Sequence, residues 1–495
     1  MVFIVGGANT LDSAYDIDNG LKFNGANQSM SIAQDAGSGS NTTGTLSFWV
    51  KRSKISTEYI AYARSDNNNV FNVYFSSNHR LEIRSTQGGS AEMSYKTDML
   101  FRDVSAWYHI VIAIDTTDGT AADRCKLFVN GSRITSFQTQ TNFDQNDTIE
   151  WFQSDATFYY GGEFEDGSQG NAYAGYLAEA YLIDGQQKAP TDFGEYNDNN
   201  VWVPKKYLGT FGNNGHKLEF QQSGTSANSS GIGADTSGND LHLTVAALGS
   251  NSPALDVPTN NFCTMIPADN MNLSNGNISG ATTRTGNWDA VHGSKGVTTG
   301  NWYFECRASR TEDNFRVIVG VVGDPENWGI GFNGKGATGD PLSTFSNTYP
   351  FYGKGVWLDH WYDEDYNDSS TASVNSNNDI IQIALDMDNY KLWVGVNVQF
   401  KDNSNNNVSY ADVAAGNSAT VSIASAAYTG KTFFPAFWLR DDEGADDNLA
   451  DINFGGAISF NISSAVNDGA GRGKFEYDVP SGFFSLCTKN LANHG

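Results

Sequence analysis

Short runs of alternating apolar and polar residues follow one another along this chain, separated by turn-forming residues. Between 380 and 397, Ile381, Ile383 and Leu385 alternate with Gln382 and Ala384, the period of two of a strand with one buried face. Asp386 to Asn389 supply turn chemistry, because Asp and Asn side chains bond back to local backbone. Leu392, Trp393, Val394 and Val396 make a return strand in which Gly395 allows close backbone approach. The stretch is predicted to be a β-hairpin. The same rhythm runs through the first half: Leu21 and Phe23, a turn at Asn24-Gly25, Met30 and Ile32, then Leu46, Phe48 and Val50 around Ser47 and Trp49. From Trp107 to Ile114 both faces are apolar, so both are expected to be buried. Leu127 and Val129 precede Asn130-Gly131, a strong hairpin signal, and Tyr176 to Ile183 closes on Asp184-Gly185.

No long segment shows helical periodicity. The 495 residues exceed one ordinary core. Hydrophobic residues at 39% and aromatics at 13% suffice for real cores, while 52 Gly against 10 Pro fits many short strands and turns. Residues 191–262 change character: Val201-Trp202-Val203-Pro204 ends the first run of strands, and Gly/Ser-rich words follow. Short strands are predicted inside at Lys217–Phe220 and Leu241–Val245, which makes this a structured connector. Beyond it, strands are predicted at Trp302–Arg307, Phe315–Val322, 380–397, Phe433–Trp438 and Ile452–Phe454.

The ordered pieces L-K-F-N-G-A-N-Q-S-M-S-I, L-S-F-W-V-K-R, A-W-Y-H-I-V-I-A-I-D, K-L-F-V-N-G-S-R-I and A-G-Y-L-A-E-A-Y-L-I-D-G resemble laminin G-like and pentraxin-like members of the concanavalin-like sandwich. The later words G-N-W-Y-F-E, V-I-V-G-V-V-G-D, I-A-L-D-M-D-N-Y-K-L-W-V-G-V, F-F-P-A-F and I-N-F-G resemble SPRY-like domains, and V-P-S-G-F-F-S-L-C-T-K-N-L is similar to the close of such domains in bacteriophage structural proteins. The resemblance implies an all-β chain with two concanavalin-like jelly-roll sandwiches in tandem: an arm at 1–20, a laminin G-like sandwich at 21–203, a short β-containing connector at 204–262, and a SPRY-like sandwich at 263–495. It also implies a phage tail-fibre or virion-surface protein.

Charge and cysteine usage narrow the partners. A formal net charge of −26 repels phosphate backbones and argues against nucleic-acid binding. Cys125, Cys263, Cys306 and Cys487 are scattered, without the pairing of a zinc site or a dense disulfide framework. The start, M-V-F-I-V-G-G-A-N, lacks a basic region and a long apolar run, and no stretch approaches membrane-spanning length. The expectation is synthesis in a host cytoplasm, no membrane insertion, and residence in the virion.

Three acidic stretches are candidates for chemistry. Glycan hydrolases of the laminarinase type on this fold alternate acidic residues along one strand. Glu163-Phe164-Glu165-Asp166 is the nearest match and lacks their spacing, so it reads as an exposed acidic loop. No nucleophile elbow, P-loop or H-E-x-x-H is present. In 357–368, Trp357, Trp361, Tyr362 and Tyr366 interleave with Asp359, Asp363, Glu364 and Asp365. Aromatic faces stack on sugars and carboxylates accept from hydroxyls or hold a hard cation. Trp357, Asp359, Trp361, Tyr362 and Tyr366 therefore form a candidate glycan site, against the alternative that these aromatics pack on the sheet or on a neighbouring subunit. Asp441, Asp442, Glu443, Asp446 and Asp447 are dense enough for a calcium site or a solvated loop, and do not follow EF-hand spacing. Asp115, Asp118 and Asp184 lie near strand ends where laminin G-like relatives can bind calcium, without a residue-by-residue match.

The expected function is a non-enzymatic phage tail fibre or adhesin that contacts host-surface polysaccharide. Its expected partners are other virion proteins and further copies of itself, a trimer by resemblance. A structural capsid or tail decoration protein is the alternative, and a glycan-degrading enzyme is disfavoured by the missing carboxylate pair.

Overall fold

A computed structural model describes residues 15–34, 39–165, 167–267, 271–282, 288–309, 316–323, 353–357, 360–362, 369–370, 378–402, 404, 406–423, 430–440 and 449–495. The chain is all-β, with two jelly-roll-type sandwiches in tandem. One compact unit ends at Asn261 and the other begins at Phe262.

In the first unit, one sheet runs in the order Ser132–Arg133, Cys125–Val129, Tyr108–Asp115, Thr43–Arg52, Ala174–Asp184, Gly20–Asn24 and Pro253–Ala254. Leu46, Phe48, Val50, Ile110 and Ile112 point inward from it, all fully buried. The facing sheet runs Phe137–Thr141, Ser90–Leu100, Arg80–Gln87, Asn69–Phe75, Glu58–Asp66, Thr157–Tyr160, Ser29–Ala33 and Thr244–Ala246. Its inward residues include Phe71, Val73, Phe75, Leu81, Ile83 and Phe158. Alternation along each strand thus builds one core between two sheets.

Asn130 and Gly131 both adopt positive φ, +46° and +79°, as a type I′ hairpin requires. The strand Ala174–Asp184 bulges between Ala178 and Tyr181, where Glu179 takes φ +41°. Ahead of the bulge the strand pairs with Gly20–Asn24, and beyond it with His216–Leu218. The stretch expected as a connector is therefore part of the first sandwich. Its strands His216–Leu218, Thr244–Ala246 and Pro253–Ala254 each pair with strands of that fold. The strands predicted at Lys217–Phe220 and Leu241–Val245 overlap two of these; the sequence hid their pairing, because the partner strands lie far away along the chain.

Residues 190–211 cover the outward face of the first sheet. Phe193 and Tyr207, with partly buried Phe211, pack on Val111, Tyr181 and Ile183 to make a second small core. Beside it, Trp202 Nε1 donates to His109 Nδ1 at 3.0 Å. His109 Nε2 lies 2.9 Å from Ser47 Oγ; with Nδ1 accepting, Nε2 is the nitrogen left to donate. A Ser–His contact can be a nucleophile and base, but Ser47 and His109 are 0% and 1% exposed. It is a sealed structural contact.

In the second unit, the larger sheet includes Ser279–Thr282, Leu449–Asn453, Asn301–Ser309, Ile380–Asp386 and Lys391–Val396 in that order. The hairpin read from 380–397 is present, with register from Ile381↔Val396 to Asp386↔Lys391. Asp386 Oδ1 accepts from Asn389 N at 2.8 Å, the predicted turn chemistry. The second sheet runs Trp288–His292, Phe433–Arg440, Arg316–Gly323, Gly353–Trp357, His360–Tyr362 and Ser369–Ser370. Beneath the larger sheet's opposite face, Glu305 accepts from Glu476 N, Tyr477 N, Asn453 Nδ2 and Tyr303 Oη, each at 3.0 Å. Burial raises its carboxyl to about 6 against the pull of those donors.

Candidate functional site: an aromatic platform on the first sandwich

The second sheet of the first sandwich has an outward face of a different character. In a regular strand, Tyr59 and Tyr62 would fall on opposite faces, being three residues apart. A register shift between Tyr59 and Ala61 inserts one residue, and the two rings meet at 6.0 Å between centroids. The bulge therefore puts both tyrosines on the same side.

Register then assembles two rows across the strands. One joins Lys96, Glu82, Tyr74 and Tyr59 as successive cross-strand partners. The other joins Arg84, Asn72, Tyr62, Tyr159 and Ser31. Tyr74 stacks on Tyr59 at 4.6 Å, and Tyr62 meets Tyr159 at 6.4 Å. Phe164, from the hairpin of Glu163–Glu165 with Ser168–Gly170, stacks on Tyr159 at 4.1 Å. The result is a continuous ribbon of five rings. Tyr62 is buried among its neighbours, while Tyr59, Tyr74, Tyr159 and Phe164 are half-buried.

Polar groups fix the ribbon from its margins. Tyr74 Oη donates to Glu82 Oε2 at 2.8 Å, and Lys96 Nζ lies 2.9 Å from Glu82 Oε1. Burial opposes ionisation of Glu82, but hydrogen bonds from Lys96, Tyr74 and Ser76 hold its carboxyl below the usual range. Arg64 Nη1 donates to the Phe164 carbonyl at 2.6 Å and ties the small hairpin to the sheet. Asn171 Nδ2 donates to Glu163 Oε2 at 2.5 Å. Burial, followed by Glu163, raises the Tyr59 hydroxyl far above its ordinary range, and burial raises Tyr62 to about 12. Such phenols stay protonated and can donate at any ordinary pH. Asn72 is only 7% exposed, and its Oδ1 has no hydrogen-bond partner among the described residues.

The residues singled out from sequence fall elsewhere. Trp357 ends the strand Gly353–Trp357, and Trp361 and Tyr362 belong to His360–Tyr362, a hairpin paired through Val356↔Trp361 and Trp357↔His360. Asp359 and Tyr366 lie outside the described residues, as do Asp441, Asp442, Glu443, Asp446 and Asp447. Asp115 and Asp184 flank the start of strand Thr43–Arg52. The Asp115 carboxylate accepts from Thr117 N at 3.0 Å, and Asp184 accepts from Ser40 N and Asn214 N at 2.7 and 3.1 Å. Asp118 accepts from Thr120 N at 2.7 Å. Among the described residues, no three His, Cys, Asp or Glu side chains converge as a metal site would need. The acidic word at 163–165 is a strand rather than a loop, and its central Phe164 completes the ribbon; Asp166 is outside the described residues.

Comparison with known proteins places the first sandwich. Residues 24–188 match the model of the Concanavalin A-like lectin/glucanases superfamily. No curated protein matches the chain. Among solved structures, a heptameric SAP-like pentraxin from Limulus polyphemus is 19% identical, with 34% of this chain and 78% of that one covered and a TM-score of 0.27. The SPRY domain of human HERC1 is 14% identical, covering 39% and 94% with a TM-score of 0.25. Domain 4 of AbnA, an extracellular arabinanase from Geobacillus stearothermophilus solved with arabinotriose, is 15% identical, covering 34% and 71% with a TM-score of 0.24.

Proposed function

We propose that this protein is a non-enzymatic glycan-binding protein of a phage virion, a tail fibre or surface adhesin that contacts host-surface polysaccharide. The observation that carries the glycan reading is the ribbon of Tyr74, Tyr59, Tyr62, Tyr159 and Phe164 on an outward sheet face. Rings of this kind offer flat apolar surface to the C–H faces of sugars, and their hydroxyls and flanking carboxylates accept or donate at the edges. The superfamily match at 24–188 supports the same reading, since these strands carry the ribbon. The virion placement rests on the tandem arrangement and the phage-like words of the second half. It extends to a homotrimer, whose several platforms would multiply a weak contact through effective concentration, and to calcium at 441–447.

The test uses purified full-length protein as a competitor of particle adsorption to host cells. Wild type is expected to block adsorption and Tyr159→Ala to lose most of that effect. Antibody labelling of intact particles should mark fibre tips; label spread over the capsid would replace the adhesin with a decoration protein. Release of reducing sugar from host polysaccharide would overturn the non-enzymatic assignment.

A further inference from the structure

We infer that the aromatic platform takes an uncharged glycan chain, and that Asn72 supplies the acceptor for one of its hydroxyls. This rests on the glycan reading above and specifies its ligand. Among the described residues, the charged groups that act on the ribbon's phenols or on Glu82 are of both signs: Arg64, Arg84 and Lys96 stand with Glu82, Glu163 and Glu165. Lys96 is engaged by Glu82 at 2.9 Å, and Arg64 by the Phe164 carbonyl at 2.6 Å. Arg84 is exposed. A uronate or sialate chain repeats its carboxylate and needs a repeated, paired cation to offset desolvation. The engaged guanidinium and ammonium groups do not provide that. The chain's charge of −26 adds a field that opposes any polyanion.

What the platform does offer suits hydroxyls. The ring faces are uncharged, and the Tyr59 and Tyr74 phenols stay protonated because burial, with nearby Glu163 and Glu82, raises them. Asn72 sits in the row between Arg84 and Tyr62. Its Oδ1 is buried without a partner among the described residues, which is costly for an amide oxygen. A sugar hydroxyl donating there, with the exposed Arg84 side chain moved aside, would satisfy it. A carboxylate or sulfate has no proton to give.

The experiment measures binding of the full-length protein to neutral polysaccharides (dextran, mannan, laminarin) and to acidic ones (alginate, hyaluronate, polysialic acid). Each is tested at ~0.01 M and ~1 M salt, which shortens the screening length from about 30 Å to about 3 Å. Expected is binding to at least one neutral probe with no salt dependence, weakened about tenfold by Tyr159→Ala. Asn72→Ala should weaken the same binding while leaving stability unchanged or raised, an outcome a merely structural amide would not give. Arg84→Glu, at an exposed position that does not threaten folding, should leave neutral binding as independent of salt as in the wild type. Salt-sensitive binding to an acidic probe, lost in both Arg84→Glu and Tyr159→Ala, would overturn the uncharged ligand and keep the platform. Neutral binding that Asn72→Ala leaves intact would overturn the role of Asn72. Glycan binding indifferent to Tyr159→Ala, or no binding to any probe, would overturn the platform itself.

Discussion

On one outward face of the first sandwich, Tyr181 and Ile183 are covered by Phe193, Tyr207 and Phe211, and the resulting cluster is nearly closed, with Tyr181 1% and Phe193 2% exposed. On the other, Tyr74, Tyr59, Tyr62, Tyr159 and Phe164 form an equally continuous set of rings, of which only Tyr62 is buried and the other four stay half-buried beside the small hairpin that supplies Phe164. Both faces use aromatics on strands, so residue type does not separate them. The roof does. Rings under a roof contribute to stability through burial, whereas half-buried rings in a row leave part of that burial to be completed by something else.

The difference is open to mutation. Phe193→Ala removes a ring held 5.3 Å from Tyr181 and 5.0 Å from Tyr207, and should lower stability of the first sandwich by about 3–5 kcal/mol. Tyr159→Ala, from the half-buried ribbon, should lower it by only about 1–2 kcal/mol while abolishing most glycan binding. Urea unfolding followed through the first unit's transition measures both. Equal losses would mean that the ribbon is simply a second core.

Two hairpin glycines sharpen the comparison. Gly131 has φ +79°, and a Cβ there would come within 2.4 Å of the Trp202 ring, which packs on the roofed face. Gly88 has φ +54° in the turn between Arg80–Gln87 and Ser90–Leu100, with open space around it. Gly88→Ala carries backbone strain alone, about 1 kcal/mol. Gly131→Ala adds the clash with a packed indole and should cost about 2–3 kcal/mol. Thermal unfolding of the pair reads out the difference; matching losses would show that Trp202 yields freely and that the roof is loose.

A third contrast is in pH. Burial lowers His109 to about 3 and, with Asp235 opposing, His216 to about 4, from 6.5. The unfolded chain therefore binds more protons than the native one below pH 6.5. Their contribution is complete above 6.5 and is lost as pH falls toward those native values, at about 1 kcal/mol per unit for each site. Glu58 acts in the opposite sense. Burial, opposed by Arg52, raises it to about 8, so its contribution falls as pH climbs from 4.5 to 8. Subtracting the His109→Gln profile from wild type isolates the imidazole under the roof, and the difference should grow in favour of the variant below 6.5. The Tyr159→Ala difference should stay flat across the same range. A flat His109 difference would mean that water reaches the ring.

Much of the framework was legible because it is local. The 380–397 hairpin, the Asn130-Gly131 turn and the doubly buried strand from Tyr108 each announce themselves within a few residues. The platform is not local. Tyr59, Tyr74 and Tyr159 lie on three strands, one of them about a hundred positions away in sequence, and only register brings them together. Its decisive step, the bulge between Tyr59 and Ala61, has no signature in E-Y-I-A-Y. Phe164 was hidden inside an acidic word whose carboxylates drew attention from the ring. The roof was equally obscured, since Phe193, Tyr207 and Phe211 are spread through a turn-rich stretch that reads as a connector.

The smallest expected effect tests what the rings present. Tyr74→Phe removes only the hydroxyl that donates to Glu82 Oε2 at 2.8 Å. Stability should fall by about 0.5–1 kcal/mol, the net worth of one partly exposed hydrogen bond. Glu82 keeps Lys96 at 2.9 Å, so its carboxylate should stay ionised with a slightly higher pKa, visible in a side-chain NMR titration. The stacked face on Tyr59 is unchanged by the substitution, so glycan affinity should stay within about twofold if ring faces make the contact. A loss of about tenfold would instead make the hydroxyl itself a ligand group. In that case Glu82 aligns the phenol, and the margin of the ribbon, rather than its faces, selects the sugar.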